Sequence, residues 1–85
     1  MRFHRTDRFK NLWKKLPNRI QRRAERCLIL FAQNPLHPFL RIRRMAGREI
    51  WEMSITMNYR ITFEYEDGDR IRLRKIGTHD ILRNP

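Results

Sequence analysis

The sequence predicts an α+β fold in which an antiparallel, twisted sheet packs one face against an N-terminal helical hairpin. Two patterns of apolar residues support this class. Apolar residues recur every three to four positions in the first third of the chain and at every second position in the rest. Because 85 residues are enough for one domain and not for two, we expect residues 1–85 to form a single domain.

The helical third consists of two segments that are separated by Pro17. A short extended segment, residues 3–5, precedes a candidate helix N-cap at Thr6 or Asp7. The Asn-Pro pair at 34–35 ends the second helix. Most arginines of this region fall outside the apolar stripes, so a helical hairpin with a basic outer face is predicted. The apolar residues are Phe9, Leu12, Trp13 and Leu16 in the first helix and Ile20, Ala24, Cys27, Leu28 and Phe31 in the second.

The remaining residues alternate between apolar and polar, which is typical of a sheet with one packed face and one wet face. Asp67-Gly68 is a strong hairpin turn signal. Because neighbouring strands lie about 4.8 Å apart, arginines on the wet face could converge on one phosphate backbone. The strand candidates are residues 39–45, 51–56, 59–66 and 70–74. The predicted wet face carries Arg41, Arg43, Arg60, Arg72 and Arg74, with Ser54 and Thr62 between them. In the alternative interpretation these arginines pair with Glu49, Glu52, Glu64 and Glu66 across strands.

Charge indicates the kind of partner. Twenty Lys and Arg against nine Asp and Glu give a formal net charge of +11 at pH 7, and sixteen of the cations are Arg. The guanidinium fork matches phosphate geometry and stacks on bases, so RNA is the favoured partner. The alternative is a basic surface that only interacts with solvent. No apolar run has the length of a membrane span and no secretory signal is present, so we expect a cytoplasmic protein without a membrane partner.

Three segments resemble a known group of bacterial toxins. Residues 58–63 (NYRITF) and, after a charged hairpin, residues 76–82 (IGTHDIL) look like the RelE/ParE superfamily, nearest to its YafQ-like and HigB-like ribonuclease branches. The run 37–40 (HPFL), the position of Gly47 before Trp51 and the leading helical hairpin follow the same order. The resemblance therefore covers nearly the whole chain.

The resemblance implies the toxin of a toxin–antitoxin pair that acts as a ribosome-dependent mRNA endoribonuclease. Such an enzyme enters the ribosomal A site, contacts 16S rRNA and cuts mRNA by attack of a ribose 2′-hydroxyl on the adjacent phosphate. The reaction uses no metal and no cofactor, and a cognate antitoxin holds the toxin inactive. Two alternatives stay open: a ParE-like gyrase inhibitor without nuclease activity, and a non-catalytic basic module that binds RNA or only the antitoxin.

The resemblance also implies catalytic residues. His79 of the Gly-Thr-His motif matches a catalytic acid or base, and histidine suits this role because it titrates near neutral pH. Arg60 of the Tyr-Arg-Ile motif matches an arginine that clamps the reacting phosphate. His37 and Asp80 are further candidates, and the alternative for Asp80 is a solvated or helix-capping carboxylate. The second proton carrier is open among His37, Asp80 and a substrate-bound water.

The RNA-binding candidates are all arginines. Arg83 stands where ribonuclease members of the superfamily often place an aromatic ring that stacks on a base, and Ser54 stands where some relatives have a histidine. Because arginine also stacks on bases, Arg83 remains a candidate. No metal ligands are expected. The RNA-binding candidates are Arg41, Arg43, Arg72, Arg74 and Arg83.

Overall fold

The structure, a computed structural model that describes residues 1–85, has two helices and five strands. The predicted α+β class with an N-terminal helical hairpin is confirmed. Neither helix is long and apolar enough to cross a membrane. The helices are α1 (Asp7–Lys14) and α2 (Asn18–Gln33), and the strands are β1 (Arg2–Arg5), β2 (Arg43–Arg44), β3 (Trp51–Ser54), β4 (Tyr59–Tyr65) and β5 (Arg70–Thr78). A first 3₁₀ helix (Pro38–Leu40) precedes β2, and a C-terminal 3₁₀ helix (His79–Arg83) follows β5.

The strands form one sheet in the order β1-β5-β4-β3-β2. All neighbours pair antiparallel except β1, which runs parallel to β5 with Phe3 opposite Ile71. The sheet is therefore mixed, a detail that the alternation in the sequence did not indicate. Parallel neighbours need a long connection, and here that connection includes both helices and the other strands.

The hydrophobic core lies between the helices and one face of the sheet. The ring of Phe31 on α2 lies 5.2 Å from the ring of Phe63 on β4, measured between centroids. A β-bulge in β5 lies between the pairs Thr62–Lys75 and Phe63–Leu73, so the apolar period changes there from two to three residues. This change keeps the side chain of Ile76 on the same face of β5, the core face, as those of Ile71 and Leu73. The core residues of the two central strands are Ile61, Phe63, Ile71, Leu73 and Ile76.

Thr6 fixes the start of α1 and ties it to the sheet. Its Oγ1 accepts the N–H of Phe9 at 3.2 Å, as the N-cap prediction requires, and donates to the carbonyl of Leu73 at 2.9 Å. Pro17 is the residue before α2 and Asn34 is the residue after it, as predicted. The helical hairpin is thus anchored to β5 at its first residue.

The predicted strand over residues 39–45 is wrong for most of its length. Pro38–Leu40 is a 3₁₀ helix, His37 Nδ1 accepts the N–H of Phe39 at 3.2 Å, and Arg41 has the left-handed φ of 48°. Proline has no N–H and fixes its own φ, so this segment begins a helical turn instead of joining the sheet. Only Arg43–Arg44 pairs with β3, and Arg41 does not lie on the polar face of the sheet.

Candidate functional site

The sheet face opposite the helices is polar, and its arginines are paired with glutamates. Glu52 lies at the centre of this arrangement. It is 4% exposed and forms ion pairs with two arginines. The cross-strand alternative is therefore the arrangement found. Four of the five arginines predicted for this face form ion pairs, and the fifth, Arg41, lies off the sheet. The pairs are Arg43–Glu52 at 3.2 Å, Arg60–Glu52 at 3.5 Å, Arg72–Glu66 at 3.6 Å and Arg74–Glu64.

The C-terminal residues lie against part of this polar face. Thr62 is 0% exposed, and its Oγ1 donates to the carbonyl of Pro85 at 3.2 Å. Arg74 Nε donates to the same oxygen at 3.2 Å, and Lys75 Nζ donates to the carbonyl of Asn84 at 2.6 Å. The prediction of a wholly wet face is therefore wrong at Thr62. Alternation shows which side chains leave the core, and it does not show which later segment covers them.

His79 begins the C-terminal 3₁₀ helix and is exposed. Its backbone N–H donates to the carbonyl of Asn58 at 3.1 Å, so the β3–β4 turn holds the backbone at this position. In the β4–β5 ladder Gly77 is opposite Arg60. Arg60 on β4 and His79, the first residue after β5, therefore lie at the same end of the sheet.

Gly77 allows the C-terminal 3₁₀ helix to approach β5 closely. A Cβ atom at this position would lie 2.9 Å from Cγ2 of Ile81. That methyl group is attached directly to the β-carbon of Ile81, so it can move away only by a change of the χ1 rotamer, which is restricted in a β-branched residue, or by a shift of the helix. The contact between Gly77 and Ile81 thus fixes the direction in which the chain leaves β5, and with it the position of His79.

The guanidinium group of Arg60 is engaged within the protein. Its side chain is 13% exposed, and Nε faces Glu52. Nη1 donates to the carbonyls of Thr56 at 2.5 Å, Met57 at 2.8 Å and Tyr59 at 3.0 Å. The three bonds from Nη1 close the β3–β4 turn. Nη2 is the one guanidinium nitrogen that makes neither these bonds nor the contact with Glu52. In this conformation Arg60 supports the turn that holds the other catalytic candidate.

The structure does not bring His37 to His79. His37 accepts the N–H of Phe39, contacts the Phe39 ring edge-on at 4.9 Å and lines a groove with Tyr65. Tyr65 ends β4, whereas His79 lies beyond the partner of Tyr59, which begins it. Six steps of about 3.3 Å separate the two ends of β4, which places His37 and His79 about 20 Å apart along the strand.

Asp80 and Arg83 lie on the C-terminal 3₁₀ helix with His79. Asp80 is exposed in the first turn of this helix. In a strand the side chains of His79 and Asp80 would point to opposite sides, whereas a helical turn allows Asp80 to assist His79. The same turn also suits the alternative, in which Asp80 is a carboxylate at the start of a helix. Arg83 is exposed in the last turn, and no glutamate or aspartate pairs with it.

A groove of about 590 Å³ lies between α2, the first 3₁₀ helix and the β3–β4 turn, and we call it the arginine groove. Burial raises the pKa of the Cys27 thiol in it, and the charges of Arg23 and Arg26 partly offset this effect. The sequence placed Cys27 only in an apolar helical stripe, since no local pattern shows that α2 passes beside Arg41. The residues that line it include Arg23, Arg26, Arg41 and Arg60 together with Cys27, Leu30, Phe39, Leu40, Ile55 and Met57.

Solved toxin structures share this fold over nearly the whole chain. The YoeB/ParE toxin from Agrobacterium tumefaciens has a TM-score of 0.76 at 15% identity, covering 93% of this chain and 99% of that one. YafQ from E. coli has a TM-score of 0.75 at 15% identity, covering 96% and 98%. The RelB–RelE antitoxin–toxin complex from Methanococcus jannaschii has a TM-score of 0.74 at 22% identity, covering 99% and 96%.

The class that these likenesses define is an α+β domain with a RelE-like fold. This confirms the resemblance to the RelE/ParE superfamily at the level of the fold. No protein-family profile matches the chain, and no curated protein matches it in sequence.

Proposed function

We propose that the chain is the toxin of a toxin–antitoxin pair and acts as a ribosome-dependent mRNA endoribonuclease. The main support is His79, an exposed histidine whose backbone is held by Asn58 at the end of β5, on a RelE-like fold. Structures of YafQ with DinJ and of RelE with RelB are toxin–antitoxin complexes, which supports an antitoxin as the partner of this chain. The net charge of +11 suits an RNA substrate.

In the proposed reaction a ribose 2′-hydroxyl attacks the adjacent phosphate. The bond from phosphorus to the 5′-oxygen of the next nucleotide breaks, which leaves a 2′,3′-cyclic phosphate and a free 5′-hydroxyl. One proton leaves the attacking oxygen and one proton reaches the leaving oxygen, so the atoms balance without any added reactant. His79 carries one of these transfers, and its neighbour Asp80 is the candidate for the other.

Arg60 is the candidate for stabilising the negative charge that develops on the phosphate. Because Nη1 and Nε are engaged by the turn carbonyls and by Glu52, the free Nη2 is the nitrogen that would reach a phosphate oxygen. A cation held by several bonds needs little reorganisation during the reaction, which favours electrostatic stabilisation. Engagement in the fold is therefore compatible with the proposed role.

The test is induced expression of the wild type and of His79→Ala in a bacterial host, with primer extension on a reporter mRNA. We expect growth arrest and new in-frame cleavage ends for the wild type, and a loss of cleavage of about 10²–10⁴-fold for His79→Ala. His4→Ala is the matched control, because His4 lies opposite Arg72 near the start of β5, whereas His79 lies beyond the end of that strand, and it should cleave like the wild type. Arrest without cleavage would favour a gyrase-inhibiting toxin, and no arrest would favour a non-catalytic module.

RNA binding is tested separately through Arg83. Among the predicted RNA-binding arginines, Arg41 and Arg83 form no ion pair with a glutamate, whereas Arg43, Arg72 and Arg74 do. Arg83→Ala should weaken binding to single-stranded RNA and reduce the dependence of log affinity on log salt by about 0.7, the expectation for one lost phosphate contact. Arg44→Ala, which removes an arginine paired with Glu49, is the control. An affinity that does not change with salt would contradict phosphate binding.

A further inference from the structure

We propose that a second groove, which we call the aromatic groove, binds an unpaired base of the same RNA strand that enters the candidate catalytic site. The groove has a volume of about 520 Å³ and lies between the loop after α2 and the ends of two strands, where β3 begins at Trp51 and β4 ends at Tyr65. The inference rests on the proposed function and adds a contact with RNA about 20 Å from His79.

Three aromatic side chains line the aromatic groove: His37, Trp51 and Tyr65. The rings of Trp51 and Tyr65 meet edge-on with their centroids 5.3 Å apart, and Tyr65 is 49% exposed, so part of its ring is open to a ligand. His37 Nδ1 accepts the N–H of Phe39, so the neutral imidazole carries its proton on Nε2, which has no partner within the protein. Rings beside a free N–H donor suit a base, which stacks on aromatic faces and presents acceptor atoms along its edge.

The charge of the aromatic groove favours a nucleotide over a peptide. Arg41 lines the groove and forms no ion pair, and no aspartate or glutamate is among the lining residues. Its guanidinium group is therefore available to the phosphate that accompanies a base. Aromatic grooves also hold proline-rich segments of proteins, but such segments carry no phosphate for Arg41 to bind. An unpaired arginine beside three rings therefore favours RNA.

A basic track connects the aromatic groove to the candidate catalytic site. Arg41 lines both the aromatic groove and the arginine groove, and Arg60 lines the arginine groove. Arg26 also lines the arginine groove and forms no ion pair, so it is free to bind a phosphate between the two places. The distance of about 20 Å corresponds to no more than about six nucleotides at the spacing of about 3.4 Å in a stacked strand. One short strand can therefore occupy both places.

Trp51 gives a local readout of occupancy. The chain has two tryptophans, and Trp13→Phe leaves Trp51 as the only one, so quenching of its fluorescence reports a base in the aromatic groove. The probe is a 2′-O-methyl oligouridylate of about eight nucleotides, in which the hydroxyl that attacks in the proposed reaction is blocked. An abasic oligomer of the same length carries the same charge and no bases. We expect quenching by the oligouridylate and none by the abasic oligomer.

Two substitutions of Tyr65 separate stacking from other effects. Tyr65→Leu removes the ring and keeps an apolar side chain, and it should weaken binding of the oligouridylate about tenfold, equivalent to about 1.4 kcal/mol. Tyr65→Phe keeps the ring and should bind like the wild type. Because Tyr65 is half exposed at the end of β4, both variants are expected to fold, which far-ultraviolet circular dichroism checks.

Arg41→Gln tests the contact with phosphate. The change should weaken binding and reduce the dependence of log affinity on log salt by about 0.7, as expected for one lost phosphate contact with a single strand. Arg48→Gln is the matched control, because Arg48 is also exposed and without an ion pair but lines neither groove. It should leave the salt dependence nearly unchanged.

The length of the oligomer tests whether one strand occupies both places. An oligouridylate of about three nucleotides fits the aromatic groove but is too short to reach the candidate catalytic site. Arg26→Gln should therefore weaken the longer oligomer severalfold and the shorter one much less. Arg22→Gln, at an exposed position of α2 outside the arginine groove, is the control and should affect neither oligomer.

Four results would overturn the proposal. Equal quenching by the abasic oligomer would exclude a stacked base, and an equal loss for Tyr65→Phe and Tyr65→Leu would mean that the ring is not the contact. Equal effects of Arg26→Gln on the two oligomers would mean that a separate RNA strand binds the aromatic groove. Stronger quenching by a proline-rich peptide than by the oligouridylate would assign the groove to a protein partner.

Failure of the proposed function is distinguishable from failure of this inference. A chain in which the oligouridylate quenches Trp51 but which does not cut mRNA contradicts the nuclease alone. A chain that cuts mRNA while the oligouridylate leaves Trp51 unquenched contradicts the aromatic groove alone.

Discussion

The two faces of the sheet are built in different ways. On the helix side, buried residues such as Ile61 and Phe63 contact α1 and α2 through apolar surface, and the positions follow directly from the alternation of the strands. On the opposite side, Glu52 and Thr62 are buried by ion pairs and by the C-terminal residues. The comparison teaches that burial on the core face follows from the type of residue at each position. Burial on the polar face depends instead on specific partners that are separated from the residue in sequence.

The largest expected difference concerns the core face. Phe63→Ala should lower the free energy of unfolding by about 3–5 kcal/mol, because it removes a fully buried ring that contacts Phe31 and leaves a cavity. Phe39→Ala, at a largely exposed ring, should change it by less than about 0.5 kcal/mol. Urea unfolding measures both. Similar losses for the two variants would mean that Phe63 does not lie in a packed core.

On the polar face, Glu52→Gln is expected to cost about 2 kcal/mol. The change removes the charge that faces Arg60, a guanidinium group with little access to water, and a buried polar group left without its partner costs about 1–3 kcal/mol. Glu49→Gln breaks an exposed pair with Arg44 and should cost less than about 0.5 kcal/mol. If the two variants lost the same stability, the polar face would be no more than a set of surface charges.

The contact between Gly77 and Ile81 is expected to be worth somewhat less. Gly77→Ala should destabilise by about 1–2 kcal/mol, because the new Cβ overlaps Cγ2 of Ile81. In an Ile81→Ala background the same change should cost close to nothing, since the methyl group is gone. A double-mutant cycle from chemical denaturation measures this coupling, and additive effects would show that the C-terminal 3₁₀ helix does not rest on Gly77.

The smallest expected effect concerns the hydrogen bond that links the polar face to the C-terminal residues. Thr62→Val keeps the shape of the side chain and removes the hydroxyl that donates to Pro85, at a cost of about 1 kcal/mol. Ser54→Ala, at a half-buried neighbouring position, is the control and should be nearly neutral. Hydrogen exchange of residues 79–85 should increase in Thr62→Val only. Unchanged exchange would mean that this segment is held in another way.

Sequence patterns predicted the elements that depend on nearby residues. The helical hairpin follows from apolar spacing, the start of α1 from Thr6, and the β4–β5 hairpin from Asp67-Gly68, where Gly68 has φ of 72°. Residues 39–42 were predicted incorrectly because alternating residue types look the same in a strand and in a turn. Pro38, which starts a 3₁₀ helix, and Arg41, whose φ is left-handed, decide in favour of the turn.

The sequence names candidate residues for the site, and it does not show their geometry. Motif resemblance selected His79 and Arg60, and the β4–β5 register then places them at one end of the sheet. That Arg60 donates to three turn carbonyls, or that Pro85 covers Thr62, depends on contacts between segments far apart in the chain. The same holds for the arginine groove, since α2 meets the β3–β4 turn only in three dimensions.

The parallel pairing of β1 with β5 has a consequence for the order in which the molecule folds. Arg2 pairs with Arg70, so the sheet cannot be completed until β5 has been synthesised. A helical hairpin can form early from local contacts, whereas closing so long a loop carries an entropic cost and slows folding. A nascent chain on the ribosome would therefore lack both the finished sheet and the position of His79. Under the proposed function, the candidate catalytic residues Arg60 and His79 would come together only after β5 has joined the sheet.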